Sequence, residues 1–154
     1  MSLLKPARHD PALGWVIRFA GKRVRSRSEV LAYLDRRGIS PQTAARALEA
    51  ASALGVVDDR ACARLWCGHL ARQGYAASAI EEKLKARLIK PSAIRQAIQA
   101  LQNEQSDLTR AQAYLKQVAR SGRKTAKQLA QALGRRGFDE EMIGQIVKSN
   151  DEEP

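Results

Sequence analysis

The residues of this 154-residue sequence that could carry out chemistry are few and far apart. Asp58 and Asp59 are adjacent, but acid–base or metal chemistry needs converging carboxylates or a histidine partner, and the neighbouring sequence supplies neither. A helix N-cap with a favourable charge at the helix dipole explains the pair better. No glycine-rich phosphate loop and no nucleophile motif occurs. The sequence therefore predicts a protein that is not an enzyme, without catalytic residues, a metal or a cofactor.

The cysteines and histidines do not form a reactive group. Cys62 and Cys67 are five residues apart in one predicted helix and point in different directions, so they are unsuited to a disulfide or to half of a metal site. We expect both to be reduced and to face the core, as free cysteines usually do. His9 and His69 have no acidic or cysteine partner at ligand spacing. This indicates a surface or boundary role for both histidines.

Positive charge is the strongest functional signal, because the net charge is +11 and its distribution is uneven. No Asp or Glu occurs between Leu108 and Phe138, whereas this stretch is rich in Lys and Arg, including Arg110 and Lys116. The candidate binding residues are Arg23, Arg25 and Arg27 near the N-terminus, and Arg120, Arg123, Lys124, Lys127, Arg135 and Arg136 towards the C-terminus. Such asymmetry indicates a polyanionic partner, either nucleic acid or a protein assembly that carries it. The alternative is an ordinary solvated surface.

These candidates differ in how well a structural role explains them. Arg135 and Arg136 fall in the predicted last turn of a helix, where cations favour the helix dipole, so a structural role and a binding role are equally supported. The cations from Arg120 to Lys127 surround Ser121-Gly122, a predicted loop at a helix start, with no acid to neutralise them. Binding explains this second group better than local stability does.

Other side chains that could read nucleic acid have simpler explanations. Trp66 and Tyr75 could stack on bases, but in a chain with 5% aromatic residues we expect them to pack in the core or between helices. Gln128 and Gln131, together with Gln96 and Gln99, leave base recognition open, although no helix shows a clear set of recognition positions.

The composition predicts an all-α fold. Hydrophobic residues make up 44% of the chain, and alanine, leucine and arginine, which are strong helix formers, dominate over β-branched and aromatic residues. No apolar run approaches the roughly 18 residues of a membrane span, and the first residues lack the apolar core of a signal peptide. We therefore expect a cytoplasmic protein with no membrane partner.

One helical pattern occurs three times in the sequence. Residues 28–41 align with 78–91 after a shift of fifty, and a further shift of forty-nine brings in 127–140. The coinciding apolar positions are Val30, Ile80 and Leu129; Leu34, Leu84 and Leu133; and Ile39, Ile89 and Phe138. Each copy is a helix, a tight turn and a second helix, and a third amphipathic helix precedes each pair.

The helix caps agree with this register. The predicted caps are Ser26 with Glu29 and Thr125 with Gln128 as capping boxes, Pro41 and Pro91 at first helical positions, Asp139 as an N-cap, and Gly38 and Gly137 as helix stops. Leu88 occupies the stop position in the middle copy. Because a left-handed leucine costs about 1 kcal/mol or more, we expect this turn to differ from the two glycine turns.

The sequence thus predicts nine helices in three tandem three-helix repeats that form an elongated, curved array. The predicted boundaries are 1–10 for an N-terminal tail, 11–55, 56–104 and 105–149 for the repeats, and 150–154 for an acidic tail. Stacking of neighbouring repeats would complete a core that a two-helix layer cannot bury alone.

Four motifs in this order resemble the RecX regulatory proteins, which modulate the bacterial RecA recombinase. The motifs are Arg25-Ser26-Arg27-Ser28-Glu29-Val30, Gly55-Val56-Val57-Asp58-Asp59 with Ala63, Gly74-Tyr75, and Leu133-Gly134-Arg135-Arg136-Gly137-Phe138. The likeness covers residues 11–149. The chain departs from the family pattern at Cys62, Leu70, Ala76, Ala77 and Leu88, so the middle copy is the one that differs most.

The resemblance implies a regulator that binds the RecA–DNA filament and modulates, most simply inhibits, recombinase ATPase and strand exchange in DNA repair, recombination and the SOS response. Its partners would be the RecA filament and single- or double-stranded DNA, with the chain acting as a monomer. A non-catalytic DNA-binding helical module that works without RecA is the alternative.

Overall fold

The structure is a computed structural model that describes residues 11–152, and it confirms the all-α class. The helices of this part are α1 Pro11–Ala20, α2 Arg27–Arg36, α3 Pro41–Ala53, α4 Asp59–Arg72, α5 Ala77–Ala86, α6 Pro91–Glu104, α7 Asp107–Ala119, α8 Ala126–Arg135 and α9 Glu140–Glu152. Within residues 11–152 the only β pairing is one isolated bridge between Arg25 and Val57. The predicted tail 1–10, with His9, lies outside the described residues.

The chain divides into two compact units, Met1–Cys62 and Ala63–Pro154. The first unit contains α1 to α3, the second contains α5 to α9, and the division falls within α4. The predicted boundaries of three repeats therefore stay a prediction. Helix α9 runs to Glu152, so residues 150–152 of the expected acidic tail are helical, because no glycine or proline interrupts the sequence between Gly144 and that residue.

The core of the first unit is built from small and branched side chains on α1, α2 and α3. Val16, Val30, Leu34 and Leu48 are buried, and several alanines of α1 and α3 let these two helices approach closely. At the edge of this core the Phe19 and Tyr33 rings are stacked at 4.2 Å between centroids.

The second unit repeats the same apolar register. The predicted core positions that are buried here are Ile80, Leu84 and Ile89 on α5 and its turn, and Leu129, Leu133 and Phe138 on α8 and its turn. Their counterparts in the first unit are Val30 and Leu34, which are buried, and Ile39, which is partly buried. The internal alignment therefore identifies equivalent core positions correctly.

The caps form largely as the sequence predicts. Thr125 and Gln128 make a complete capping box, and the Asp139 carboxylate accepts the Met142 backbone N–H at 2.8 Å. Ser26 accepts the Glu29 backbone N–H at 3.2 Å, but the reciprocal half of that box is missing. The Glu29 carboxylate instead pairs with a guanidinium, as described below.

The turn at Leu88 does not differ from the glycine turns, so that prediction was wrong. Leu88 has a φ of +56°, beside +71° at Gly38 and +87° at Gly137. After α5 the Ile89 N–H donates to the Leu84 carbonyl at 3.4 Å, the same backbone bond that follows α2 and α8. This bond and the burial of Ile89 hold the turn, because together they outweigh a conformational cost of about 1–2 kcal/mol.

A pair of alanine substitutions in the α8 segment tests the role of this turn geometry. Gly137→Ala should lower the free energy of unfolding by at least about 2 kcal/mol, since the position is left-handed and a Cβ would lie 2.6 Å from the Ala79 Cβ. Gly134→Ala is the matched control, because its Cβ would meet nothing within 4 Å inside a helix. We expect it to stabilise by roughly 0.5–1 kcal/mol. Urea denaturation followed by circular dichroism measures both, and equal effects would contradict this account of the turn.

Candidate functional site

The first candidate cluster lies where the chain enters α2. The Arg25 N–H donates to the Val56 carbonyl at 3.2 Å, and the Asp58 N–H donates back to the Arg25 carbonyl at 3.0 Å. The Arg27 N–H donates to Asp59 Oδ1 at 2.8 Å, while Asp58 Oδ1 accepts the Ala61 N–H at 3.1 Å as an N-cap. The two aspartates therefore connect and cap helices, as expected of structural rather than catalytic residues.

Arg25 is engaged within the fold, whereas its neighbours are exposed. One guanidinium nitrogen pairs with the Glu29 carboxylate at 3.2 Å, another donates to the Phe19 carbonyl at 3.2 Å, and the group lies 4.4 Å from the Phe19 ring centroid. Arg23 and Arg27 are exposed. In this cluster only Arg23 and Arg27 present their charge on the surface.

The start of α7 repeats the connection seen at the start of α4. Asp107 Oδ1 accepts the Ala77 N–H at 3.0 Å, as Asp59 accepts the Arg27 N–H. In both cases an acidic residue in the first turn of one helix binds the first amide of an earlier helix. Asp59 and Asp107 lie outside the aligned segments, so their matching hydrogen bonds support the internal alignment independently.

Arg110 belongs to the stretch without acidic residues, but its side chain is only 1% exposed and is therefore not available to a partner. It donates to the Tyr75 carbonyl at 3.3 Å, to Gln102 Oε1 at 3.1 Å, to the Gln105 carbonyl and to the Asp107 carboxylate. The guanidinium thus joins the chain before α5, the end of α6 and the start of α7. From sequence, Arg110 was grouped with the positive charge that a partner could contact. The one sequence signal for its structural role was Asp107, three residues earlier on the same helix.

Arg136 also has a structural role. Its guanidinium lies 4.5 Å from the Tyr75 ring centroid and 4.8 Å from that of Tyr114, and its carbonyl accepts the Ala76 N–H at 2.9 Å. Lys83 covers the Tyr75 ring as well, at 4.7 Å. Because Lys83 and Arg136 both lie over the Tyr75 ring, Tyr75 is better explained by packing within the fold than by stacking on a base.

The cations before α8 form the site that the structure supports best. Arg120 caps α7, Arg123 and Lys124 lie in the connection, and Lys127 is in the first turn of α8; we call these four residues the cationic loop. All four are exposed, and none takes part in an ion pair within the part of the chain that the structure describes. Arg120 lies at the C-terminus of α7, where a cation favours the helix dipole. Arg123, Lys124 and Lys127 lie at or before the N-terminus of α8, where cations oppose the dipole, so local stability does not explain these three.

The remaining candidates do not join the cationic loop. Arg135 is exposed but lies at the other end of the ten-residue helix α8, about 15 Å along its axis. Arg23, Arg25 and Arg27 belong to the first compact unit. The sequence-predicted set therefore separates into the cationic loop, the isolated Arg135, two engaged arginines and the exposed pair Arg23 and Arg27.

Both cysteines are buried and free, as expected. Burial, with help from the Glu29 and Asp59 carboxylates, raises the pKa of Cys62 to about 11, and its Sγ donates to the Val24 carbonyl at 3.3 Å. Burial also raises the pKa of Cys67, whose Sγ donates to the Ala97 carbonyl at 3.6 Å. Thiols with raised pKa values are poor nucleophiles at neutral pH, so neither is suited to redox or covalent chemistry.

Two other kinds of site have no candidate among residues 11–152. No group of three or more His, Cys, Asp and Glu side chains in this range could hold a metal ion. No helix described there combines the length and apolar character that crossing a bilayer needs.

The described residues therefore form an all-helical fold that exposes a cluster of cations and buries both thiols. The regulatory proteins RecX of Mycobacterium ulcerans and Mycobacterium marinum are each 24% identical to the chain over 152 residues, covering 95% of this chain and 88% of theirs. The crystal structure of RecX from Lactobacillus salivarius matches the fold with a TM-score of 0.75 at 15% identity, over 92% of this chain and 95% of that chain. No protein-family model matches.

A second crystal structure, of a regulatory protein RecX, gives a TM-score of 0.73 at 16% identity, covering 90% of this chain and 72% of the other. These two structures establish the shared fold, and the two sequence relatives span nearly the whole chain. The chain is thus similar to the RecX regulatory proteins in sequence, and it shares the fold of the solved RecX structures.

Substituting Arg110 tests its structural role. Arg110→Met should lower the free energy of unfolding by about 2–4 kcal/mol, because it leaves the acceptors at Tyr75 and Gln102 and the Asp107 charge without their donor. Lys116→Met, at an exposed position of the same helix, should change stability by less than about 0.5 kcal/mol. Chemical denaturation compares the two variants, and an Arg110→Met protein as stable as the control would refute this role.

Proposed function

We propose that this protein is a cytoplasmic regulator, built from three three-helix repeats, that binds the RecA–DNA filament as a monomer and inhibits recombinase ATPase and strand exchange during DNA repair. Two findings support the proposal: the similarity to RecX regulatory proteins over nearly the whole chain and the exposure of the cationic loop. The cationic loop is the observation that carries it, because the helix dipole explains Arg120 at the end of α7 but not Arg123, Lys124 and Lys127 at the start of α8.

The cationic loop has the properties of a phosphate-binding surface. Its four charges lie within eight residues, and the sequence from 108 to 138 contains no acid to neutralise them. The capping box of Thr125 and Gln128 satisfies amides at the N-terminus of α8, so side-chain charge rather than free backbone N–H groups would attract the anion. Contacts of this kind release counterions and speed the approach to a DNA-bearing assembly.

Sequence-specific base recognition fits the structure less well. Gln128 uses its side-chain oxygen to accept the Thr125 N–H at 2.9 Å, so this residue is occupied by the capping box. Lys83 and Arg136 cover the Tyr75 ring, and Arg87 lies 3.4 Å from the Trp66 ring centroid. With these side chains engaged, phosphate contacts that tolerate any sequence are the better description, and they suit a filament that forms on any DNA.

The proposed inhibition follows from simultaneous contact with DNA and protein. A recombinase that hydrolyses ATP along DNA must change conformation from one protomer to the next, and a ligand that binds one filament state better than the others shifts the filament towards that state. A regulator that holds the DNA phosphates and a protomer surface together would resist the changes that turnover needs.

The direct test is the ATPase of the recombinase. Adding the purified full-length chain at substoichiometric ratio to RecA on single-stranded DNA should slow ATP hydrolysis, since one bound regulator would restrain several neighbouring protomers. A coupled ATPase assay measures the rate. An unchanged rate up to equimolar protein would contradict the proposed function.

A second candidate function is DNA binding without RecA, which the cationic loop favours because phosphates alone would satisfy it. Changing Arg123, Lys124 and Lys127 together to Glu should weaken DNA-dependent binding while leaving the fold intact, because these side chains are exposed. For each phosphate that the variant no longer binds, the slope of log K against log salt should fall by about 0.9 on duplex DNA or about 0.7 on single strands. Salt titrations on bare DNA and on the RecA–DNA filament measure it.

The control is a variant with the same change in charge at scattered exposed positions of the second unit, Arg72, Arg95 and Lys148 to Glu. If only filament binding falls, the regulator gains support; if both bindings fall in parallel, the DNA-binding module is the better description. Equal affinities for the wild type and the loop variant on both substrates would mean that the cationic loop is only a solvated surface.

A further inference from the structure

Leu88 combines two unfavourable properties at one position. It is 74% exposed, and its backbone is left-handed with a φ of +56°. It is the one residue other than glycine with a positive φ among residues 11–152. Glycine occupies the equivalent turns at Gly38 and Gly137 and adopts this conformation without a side-chain clash. A leucine here therefore costs stability and exposes apolar surface where a glycine would do neither.

The turn fixes the backbone that carries the exposed Leu88 side chain. The Leu88 N–H donates to the Lys85 carbonyl at 2.9 Å, and the Ile89 N–H donates to the Leu84 carbonyl. Ile89 is buried and so fixes the chain directly after the turn. A projecting apolar group on a rigid turn loses little conformational freedom when a partner covers it.

The surroundings of Leu88 have the composition of a protein interface. Arg87, the residue before it, lies over the half-buried Trp66 ring at 3.4 Å between the guanidinium carbon and the ring centroid. Arg87, Leu70, Lys83 and Ala86 line a shallow depression of about 290 Å³. Tryptophan and arginine are enriched among the residues that contribute most of the binding energy at protein interfaces.

The charges near this turn argue for a protein partner rather than nucleic acid. On α5, Lys85 pairs with both Glu81 and Glu82 at 3.3 Å. Lys83 and Arg87 are each packed on an aromatic ring. Because these acids offset part of the positive charge, the surface is of mixed sign, in contrast to the acid-free cationic loop. A surface of mixed charge around the exposed Leu88 instead suits a protein partner that has an apolar pocket.

We propose that Leu88 is an apolar anchor that inserts into a pocket on a protein surface, with the Trp66–Arg87 pair packed beside it. Resting on the proposed function, we assign this surface to the recombinase protomer, while the cationic loop contacts the DNA. The structure thus provides two separate contact surfaces, one apolar and one electrostatic, for the two components of the filament.

Two substitutions of Leu88 separate the anchor from the backbone strain. Leu88→Ala removes most of the side chain and retains a Cβ at the left-handed position, whereas Leu88→Gly removes both the side chain and the strain. We expect each variant to bind the RecA filament on single-stranded DNA about tenfold more weakly than the wild type, which corresponds to about 1.4 kcal/mol. Leu88→Gly should nevertheless unfold at the same or a higher urea concentration, so weaker binding cannot come from misfolding.

The control is Leu54→Ala, since Leu54 is another exposed leucine but has an ordinary φ of −81°. It should bind the filament like the wild type. The same DNA without RecA should bind the Leu88 variants and the wild type equally. Wild-type filament affinity in both Leu88 variants would overturn this inference alone, and a parallel loss on bare DNA would overturn it in favour of a wedge in the DNA. A wild-type chain that binds bare DNA but gains nothing from RecA would overturn the proposed function and the assigned partner together.

Discussion

One buried guanidinium connects three segments of the second unit. Arg110 donates to the backbone before α5, to the end of α6 and to the first turn of α7, so that three helix termini share one donor. Helix termini carry unsatisfied backbone groups, and a fold made of short helices has many of them to satisfy. The equivalent position forty-eight residues earlier is Cys62, whose thiol makes a single weak bond to the Val24 carbonyl. The two junctions therefore share a geometry but differ in chemistry.

The positively charged side chains fall into two groups, those that contact other groups of the fold and those that project into solvent. Arg25, Arg110 and Arg136 place their guanidinium groups on carbonyls, carboxylates or aromatic rings of the fold. The cationic loop instead projects its charge from the connection between α7 and α8. Because the guanidinium groups of Arg25, Arg110 and Arg136 are held by contacts within the fold, they are less available for direct contact with a partner than the exposed cations are. The positions of the cations, rather than their number, therefore identify the candidate binding surface.

Local chemistry made much of the fold predictable. Caps and apolar periodicity depend on residues three to four positions apart, so Thr125 with Gln128 and the buried register of Ile80 and Leu133 could be read directly from the sequence. The predictions that were wrong concern residues whose backbone conformation or burial depends on tertiary contacts. Leu88 is left-handed because burial of Ile89 outweighs the local preference, and Arg110 is buried because acceptors from distant segments converge on it. Of the candidate site, the exposure of the cationic loop was predictable because the sequence from 108 to 138 contains no acid that could pair with those side chains.

The two contact surfaces act over different ranges. Electrostatic attraction to phosphates extends to about 8–10 Å at physiological ionic strength and speeds association, but salt weakens it. Burial of an apolar anchor acts only on contact, depends little on salt and mainly slows dissociation. A regulator with the cationic loop alone would bind any DNA transiently, because a phosphate contact cannot distinguish a filament from bare DNA. In the proposed complex, the apolar anchor at the left-handed Leu88 turn would supply the discrimination, because it would enter a pocket of the protein component and gain nothing from phosphates.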